Sequence, residues 1–243
     1  MRFDILTLFP GFFDGILGDS ILKRASEAGH IEVEVHNLPK WSNDPKHHKV
    51  DDRPYGGGPG MVIKPEPVVD SVEELTAEEP AHVILTTPVG RPYSQPVARE
   101  LSKKERLVIV CGHYEGFDER IREELEPDEI SIGDYVMTGG ELAAMVILDS
   151  VSRLLPGVLG DPGSSVEDSF TEELLDHAHY TRPEEYRGRR VPEVLLSGDH
   201  AKIAEWRHLS AVERTRSRRP DIYERYTSGG RAKPASTDRP NGG

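Results

Sequence analysis

The sequence predicts an α/β fold built on a parallel sheet, followed by a small C-terminal helical domain. Three observations lead there. Apolar runs alternate with stretches of helical periodicity along the first 155 residues. The run at 107–111, LVIVC, is apolar throughout, as expected of a parallel strand covered on both faces. Loops of small residues follow directly behind such runs, at 112–116 (GHYEG) and 133–140 (GDYVMTGG).

Taken in order, residues 2–9 alternate and then run apolar, which predicts a strand. Helical spacing over 20–28 stops at Gly29, and 31–38 alternates as a second strand. Residues 41–61, WSNDPKHHKVDDRPYGGGPGM, lack periodicity and are rich in Gly, Pro, Asp and His, the composition of a long functional or disordered loop. His47, His48, Asp51 and Asp52 fit no zinc spacing and read as solvated loop side chains. Helical spacing resumes over 64–75, and EELTAEEP at 73–80 is an acidic connection. A strand at 82–86, a helix at 95–101, the strand ending at Cys111 and a short strand at 130–132 complete the sheet. The clearest helix is 141–155, whose Ala144, Ile147, Leu148, Val151, Leu154 and Leu155 share one face. Pro156-Gly157 ends it, and 160–165 is small and flexible, a candidate domain boundary. Beyond it, 169–177 and 199–216 read as helices, the second with an Asp199 cap. From about residue 228 the tail lacks a hydrophobic anchor and is expected to be disordered. The expected organisation is thus a ligand-binding domain at 1–160, a linker at 161–170, a helical domain at 171–228 and a tail at 229–243.

Composition narrows the class. At 243 residues the chain can bury a full core, and 36% hydrophobic with 30% charged residues describes a soluble globular protein. No apolar run approaches the ~20 residues that span a bilayer. The N-terminal stretch carries Asp4 and no basic region before a cleavage site, so it reads as the first strand of a cytoplasmic protein. A single cysteine, Cys111, excludes an internal disulfide and argues against a thiolate metal cluster; at the end of an apolar strand it reads as an inert buried thiol. The net charge of -13 is unevenly spread. Residues 1–181 hold 16 Lys and Arg against 34 Asp and Glu, whereas residues 182–243 hold 14 against 9, so a polyanion would prefer the C-terminal part. Neither a G-x-G-x-x-G behind a strand nor a G-x-x-x-x-G-K-[ST] occurs, which leaves both common phosphate-binding modes unsupported.

The string CGHYEGFDERI at 111–121, followed by SIGDYVMTGGE at 131–141, resembles the cofactor-binding region of the bacterial tRNA (guanine-37-N1)-methyltransferases, members of the SPOUT superfamily. Further matching strings are VDDRPYGGGPGM (50–61), DSVSRLLPGVLG (149–160), EDSF (167–170), HYTRPEEY (179–186) and VPEVLLSGDHAKI (191–203), in the family's order. The resemblance implies a deep trefoil knot in the α/β domain, S-adenosylmethionine as methyl donor, tRNA with a guanosine 3′ of the anticodon as partner, and a homodimer with a shared active site. It assigns the donor to Thr86, Thr87, Pro88, Gly90, Gly112, Tyr114, Glu115, Ile132, Gly133, Tyr135, Met137, Gly139 and Gly140. It also implies Asp168 as general base, Arg153 as the cation facing the guanine oxygen, and a magnesium ion that Glu115 could hold; no metal ligand set is assigned. At 87–90 this chain has Thr-Pro-Val-Gly where several relatives carry Ser-Pro-Gln-Gly. From the residues alone Glu167 and Asp168 are equally eligible as base, and Glu115 and Asp134 both suit a positively charged ligand. Rival readings are another SPOUT methyltransferase acting on ribose or ribosomal RNA, a non-catalytic RNA-binding module, and a phosphate-handling hydrolase.

Overall fold

In the computed structural model of the chain, residues 1–160, 169–170 and 173–228 are described. Asp168, Glu167, most of the expected linker and the tail from residue 229 lie outside them. The chain divides into two compact units, Met1–Pro162 and Gly163–Gly243. No helix among the described residues is long and apolar enough to cross a membrane.

The first unit runs β1 (Arg2–Thr7), α1 (Ser20–Glu27), β2 (Glu32–Asn37), α2 (Pro65–Thr76), β3 (His82–Pro92), α3 (Gln95–Leu101), β4 (Arg106–Cys111), α4 (Arg120–Leu125), β5 (Asp128–Ser131) and α5 (Glu141–Ser152). The strands form one parallel sheet in the order β2-β1-β4-β3-β5. Parallel pairing requires crossovers, and the crossover helices cover both faces. Alternate residues of β4 therefore enter two cores. Leu107 and Ile109 join Phe3, Ile5 and Ile84 beneath α1, α3 and α5. Val108 and Val110 join Leu6 and Leu85 on the face of α2 and α4. Every residue of β4 is buried, which is why that stretch is apolar without alternation.

The expected α/β order is met, with local differences. α4 carries too few residues to show a period, and β3 continues beyond residue 86. Its register against β5 pairs both Thr86 and Arg91 with Ile130, so residues 87–90 bulge out of the ladder. Arg91 closes that bulge. Its guanidinium donates to Asp128 at 2.6 and 2.7 Å and to Glu100 of α3 at 3.0 Å.

The second unit holds a short hairpin of Glu185–Tyr186 with Arg189–Arg190, a single turn at Glu193–Leu196, α6 (His200–Arg218) and α7 (Pro220–Ser228). Asp199 caps α6 as expected, its carboxylate accepting from Lys202 N–H at 3.2 Å. The helix expected over 169–177 is not formed in its described residues. Phe170 and Glu173 have φ of 70° and 61°, and hydroxyl groups take the backbone donors that a helix would use. Asp176 N–H donates to Ser169 Oγ, Leu175 N–H to Thr215 Oγ1 and Ala178 N–H to Ser210 Oγ, at 2.9 to 3.0 Å.

One buried charge locks the sheet's working order. Asp4 of β1 is inaccessible to solvent. It accepts from Arg106 Nε of β4 at 2.8 Å and from Arg2 Nε and Nη2 at 3.0 Å, while His36 Nε2 of β2 lies 2.8 Å away. Burial works to raise this carboxyl's pKa, but the bonds from His36, Arg2 and Arg106 outweigh it and hold the group well below the usual carboxylate range. A folded-state pKa below that of the unfolded chain contributes stability above roughly pH 4, and the contribution is lost as the medium is acidified below it. Asp4→Asn is expected to cost about 3–5 kcal/mol at neutral pH, because two cations remain behind. Urea denaturation over a pH series should show the gap from wild type shrinking below roughly pH 4.

Candidate ligand-binding cleft at the strand ends

The C-terminal ends of β3, β4 and β5 open into one cleft lined by residues 86–88, 112–117, 130–133, 135–140 and Ala143. Open parallel sheets place ligands at this edge because the strand-to-helix loops leave backbone groups and small residues there. The cleft encloses about 220 Å³. A single water needs roughly 10–15 Å³ on this measure, so the space suits an organic ligand.

Its floor is held together by Gly112. The N–H of Gly112 donates to Thr86 Oγ1 at 3.2 Å, and its C=O accepts from Gly140 N–H at 2.7 Å. Thr86 of β3, the end of β4 and the loop after β5 thereby meet at one residue. A Cβ on Gly112 would come within 2.7 Å of the Thr86 carbonyl oxygen, and one on Gly140 would collide with Thr86 Oγ1 and reach 2.6 Å from Gly112 N. These two positions need glycine for close approach rather than for turning.

The loop after β5 folds onto itself. Ser131 Oγ bonds Gly133 in both directions, and Tyr135 returns its hydroxyl to the Ile132 carbonyl at 3.3 Å. The loop after β4 is braced from outside. Glu115 N–H donates to Met61 O, Ile63 N–H to Gly116 O and Asp118 N–H to Ile63 O, at 2.9 to 3.0 Å. The end of the Gly-rich segment is thus a strut for the cleft wall. Tyr114 holds a left-handed φ of 58°, an uncommon state for a bulky residue. Its hydroxyl pKa is raised by burial and then by the charge of Asp51.

The chemistry of the lining is specific. Apolar walls come from Pro88, Ile130, Ile132, Met137 and Ala143, and among the described residues Glu115 is the one lining residue with a formal charge. No Lys or Arg among the described residues lines the cleft to neutralise a phosphate, while a carboxylate favours a cation. Apolar walls with one acid fit a purine nucleoside carrying a positive sulfonium.

Of the thirteen residues assigned to the donor, twelve line this cleft. Gly90 does not. It lies where the bulge rejoins β5, and a Cβ there would strike the backbone of Glu129 and Ile130, so its contribution is to the pairing of β3 with β5. Asp134 is exposed and outside the lining. Arg153 follows α5, its N–H bonding Asp149 O at 3.1 Å. Cys111 is buried, and burial followed by the charge of Glu141 raises its thiol pKa, in keeping with an inert thiol. His47 and His48 are exposed. The sequence reading missed His113, Phe117, Thr138 and Ala143 as lining residues. His113 stood inside the resembling string, but nothing in one sequence says which side of a loop faces inward.

Fold and cleft together define an α/β protein with an open, largely apolar cleft at the ends of its parallel strands. The family described as tRNA (Guanine-1)-methyltransferase TrmD matches residues 1–225. Proteins named tRNA (guanine-N(1)-)-methyltransferase are similar to this chain. That of Dehalococcoides mccartyi is 56% identical over 227 residues, covering 93% of this chain and 91% of its own. That of Geobacillus kaustophilus is 56% identical over 227 residues, covering 93% of each. That of Bacillus cereus is 57% identical over 226 residues, covering 92% of each. The chain belongs to the TrmD family of tRNA (guanine-1)-methyltransferases, within the SPOUT superfamily.

Gly140→Ala is expected to lower stability by about 1–3 kcal/mol by forcing Thr86 and Gly112 apart. Gly15→Ala, where an added Cβ meets nothing within 4 Å, should change it by less than roughly 0.5 kcal/mol. Urea midpoints of the two variants check this.

Proposed function

We propose that this protein transfers a methyl group from S-adenosylmethionine to N1 of guanosine 37, next to the anticodon of tRNA. What carries the reading is the coincidence of the family match with a cleft whose described lining carries one formal charge, a carboxylate. Twelve of the thirteen residues assigned to the donor line that cleft, which supports the assignment.

N1 of guanine carries a hydrogen at neutral pH, so methylation needs a base for that proton and a cation for the charge that develops on the adjoining oxygen. Asp168 is proposed as the base and Arg153 as the cation. When bound, a sulfonium donor would supply an electrophilic methyl group and a neutral thioether as its leaving group. The chain's own work is then alignment, with the peptides at Gly112 and Gly140 holding three loops at fixed separation. Glu115, on the cleft wall, can hold a magnesium ion as well as face the sulfonium.

We assign the first unit to donor binding, residues 161–170 to the linker and the second unit to tRNA. Arg187, Arg189, Arg190, Arg216 and Arg218 are exposed in that unit and suit phosphate contacts. A flipped-out base is the form in which N1 is reachable. The trefoil knot belongs to this proposal, supported by the way residues 133–140 return from the edge strand β5 to Gly112 beside the central strand before α5 begins. So does a homodimer that shares its active sites. Exposed Val136, Leu142 and Val146 offer apolar surface beside the cleft, and two-fold pairing is the commonest use of such a patch. A protein with this substrate acts in the cytoplasm.

Asp168→Ala is expected to lower methyl incorporation into tRNA at least about a hundredfold while leaving donor affinity within roughly twofold. Radiolabelled methyl transfer and titration calorimetry read these two quantities, and nucleoside mass spectrometry identifies the methylated atom. Label on a ribose, or on N1 of a guanosine elsewhere in the tRNA, would overturn the assignment of the acceptor. Loss of donor binding with intact chemistry would overturn the role of Asp168.

A further inference from the structure

We propose that Asp176, His177 and His179 of the second unit bind a divalent transition-metal ion of the zinc class. Their ligand atoms, a carboxylate oxygen and two ring nitrogens, all lie within 4.8 Å of one another. His177 Nδ1 stands 2.7 Å from Asp176 Oδ1, and His179 Nε2 stands 2.7 Å from Asp176 Oδ2. The two imidazole centroids are 4.3 Å apart. Both rings therefore turn a nitrogen toward the same carboxylate. A zinc ion holds nitrogen and oxygen ligands at about 2.0–2.2 Å, which places tetrahedral ligands roughly 3.3 Å from each other. Small side-chain rotations bring the observed separations to that value.

The absence of a helix over this segment is what brings the groups together. On a helix, residues two apart do not face each other, so His177 and His179 would point to different sides. Here hydroxyl groups hold the main chain around the ligands instead. Leu175 N–H donates to Thr215 Oγ1, Asp176 N–H to Ser169 Oγ and Ala178 N–H to Ser210 Oγ. His177 N–H also donates to Asp176 Oδ1, at 2.6 Å, and so orients the carboxylate. The backbone beneath the ligands is anchored before an ion arrives, and less ordering remains to oppose binding. An entry path exists as well. The His179 side chain is 68% exposed and that of Asp176 26%, so solvent reaches the cluster.

Hydrogen bonding alone accounts less well for this arrangement. In two other imidazole–carboxylate pairs, His36 with Asp4 and His82 with Asp128, a guanidinium shares the carboxylate. Arg106 donates to Asp4 and Arg91 to Asp128, so a permanent cation already meets the negative charge. That is why the comparable group Asp4, Glu34 and His36 is no metal site. At Asp176 two imidazoles converge on one carboxylate. Protonated together they would repel at this distance, whereas an ion between them takes a lone pair from each neutral ring and the charge of the carboxylate. Imidazole donors suit zinc and its neighbours, while magnesium and calcium take oxygen ligands. Three protein ligands leave a further position open to water.

Titration calorimetry of the full chain with ZnCl2 is expected to show about one equivalent bound, at least roughly tenfold more weakly in His177→Ala and in His179→Ala. The double variant His47→Ala/His48→Ala, altered at exposed histidines of the first unit, should bind as wild type does. Excess MgCl2 should leave the zinc in place. No zinc binding by wild type, wild-type affinity in both H177A and H179A, or loss of binding in the His47/His48 variant would overturn the site. Displacement by magnesium would overturn the class of metal. Should the alanine variants fail to fold, anomalous diffraction at the zinc edge from wild-type crystals decides alone: an ion among the three side chains supports the site, and an ion elsewhere or none overturns it.

Discussion

The cleft depends on the hydrogen bonds of one residue. Gly112 follows the central strand of the first unit, its N–H donating to Thr86 of the neighbouring β3 and its C=O accepting from the loop after the edge strand β5. An ordinary Cβ at Gly112 or at Gly140 would overlap the atoms that make those bonds. Close approach of three backbones is therefore the condition for having a cleft at all, and it explains why bulk is missing there while the walls on either side are apolar. Two supports keep the arrangement from drifting: the ion pairs from Arg91 to Asp128 and Glu100 across the bulge, and the strut from residues 61–63 to the loop after β4. The Arg91 pairs are partly exposed and add little stability, so their value is in fixing register.

Charge is distributed to match. Asp4, buried in the sheet core, has two guanidinium partners, whereas the described lining of the cleft presents a carboxylate, Glu115, with no basic side chain beside it. The first arrangement stabilises the fold, and the second leaves negative charge available to a ligand. That contrast separates a sulfonium from a nucleotide triphosphate, for which basic side chains would be required. On the proposed reading the acid chain avoids phosphate in its first unit and concentrates arginine in its second, so the polyanion and the cationic donor are recognised by different parts of the chain.

Much of this was readable in the residues themselves. The unbroken apolar run at 107–111 announced a strand buried on both faces, and the glycines at 112, 139 and 140 marked where backbone had to be bare. Less legible were features that depend on what lies across a gap. Residues 169–177 carry a plausible helical pattern, yet hydroxyls from α6 take the segment's amide hydrogens. The resemblance assigned Gly90 to the donor, but that it packs against the backbone of Glu129 and Ile130 across the bulge could not be read from the residues. His113 stood inside the resembling string, yet a single sequence does not say that it would line the cleft.

The sequence by itself determined the alternation of strand and helix and the burial of the central strand, because these follow from local sterics and from the period of apolar residues. Only the tertiary structure decided which strand lies beside which, that segments distant in sequence meet at Gly112, and which atoms forbid a side chain there and at Gly140. Those are relations between segments far apart along the chain, set by packing and by the hydrogen bonds that packing permits, and a linear string carries no record of them.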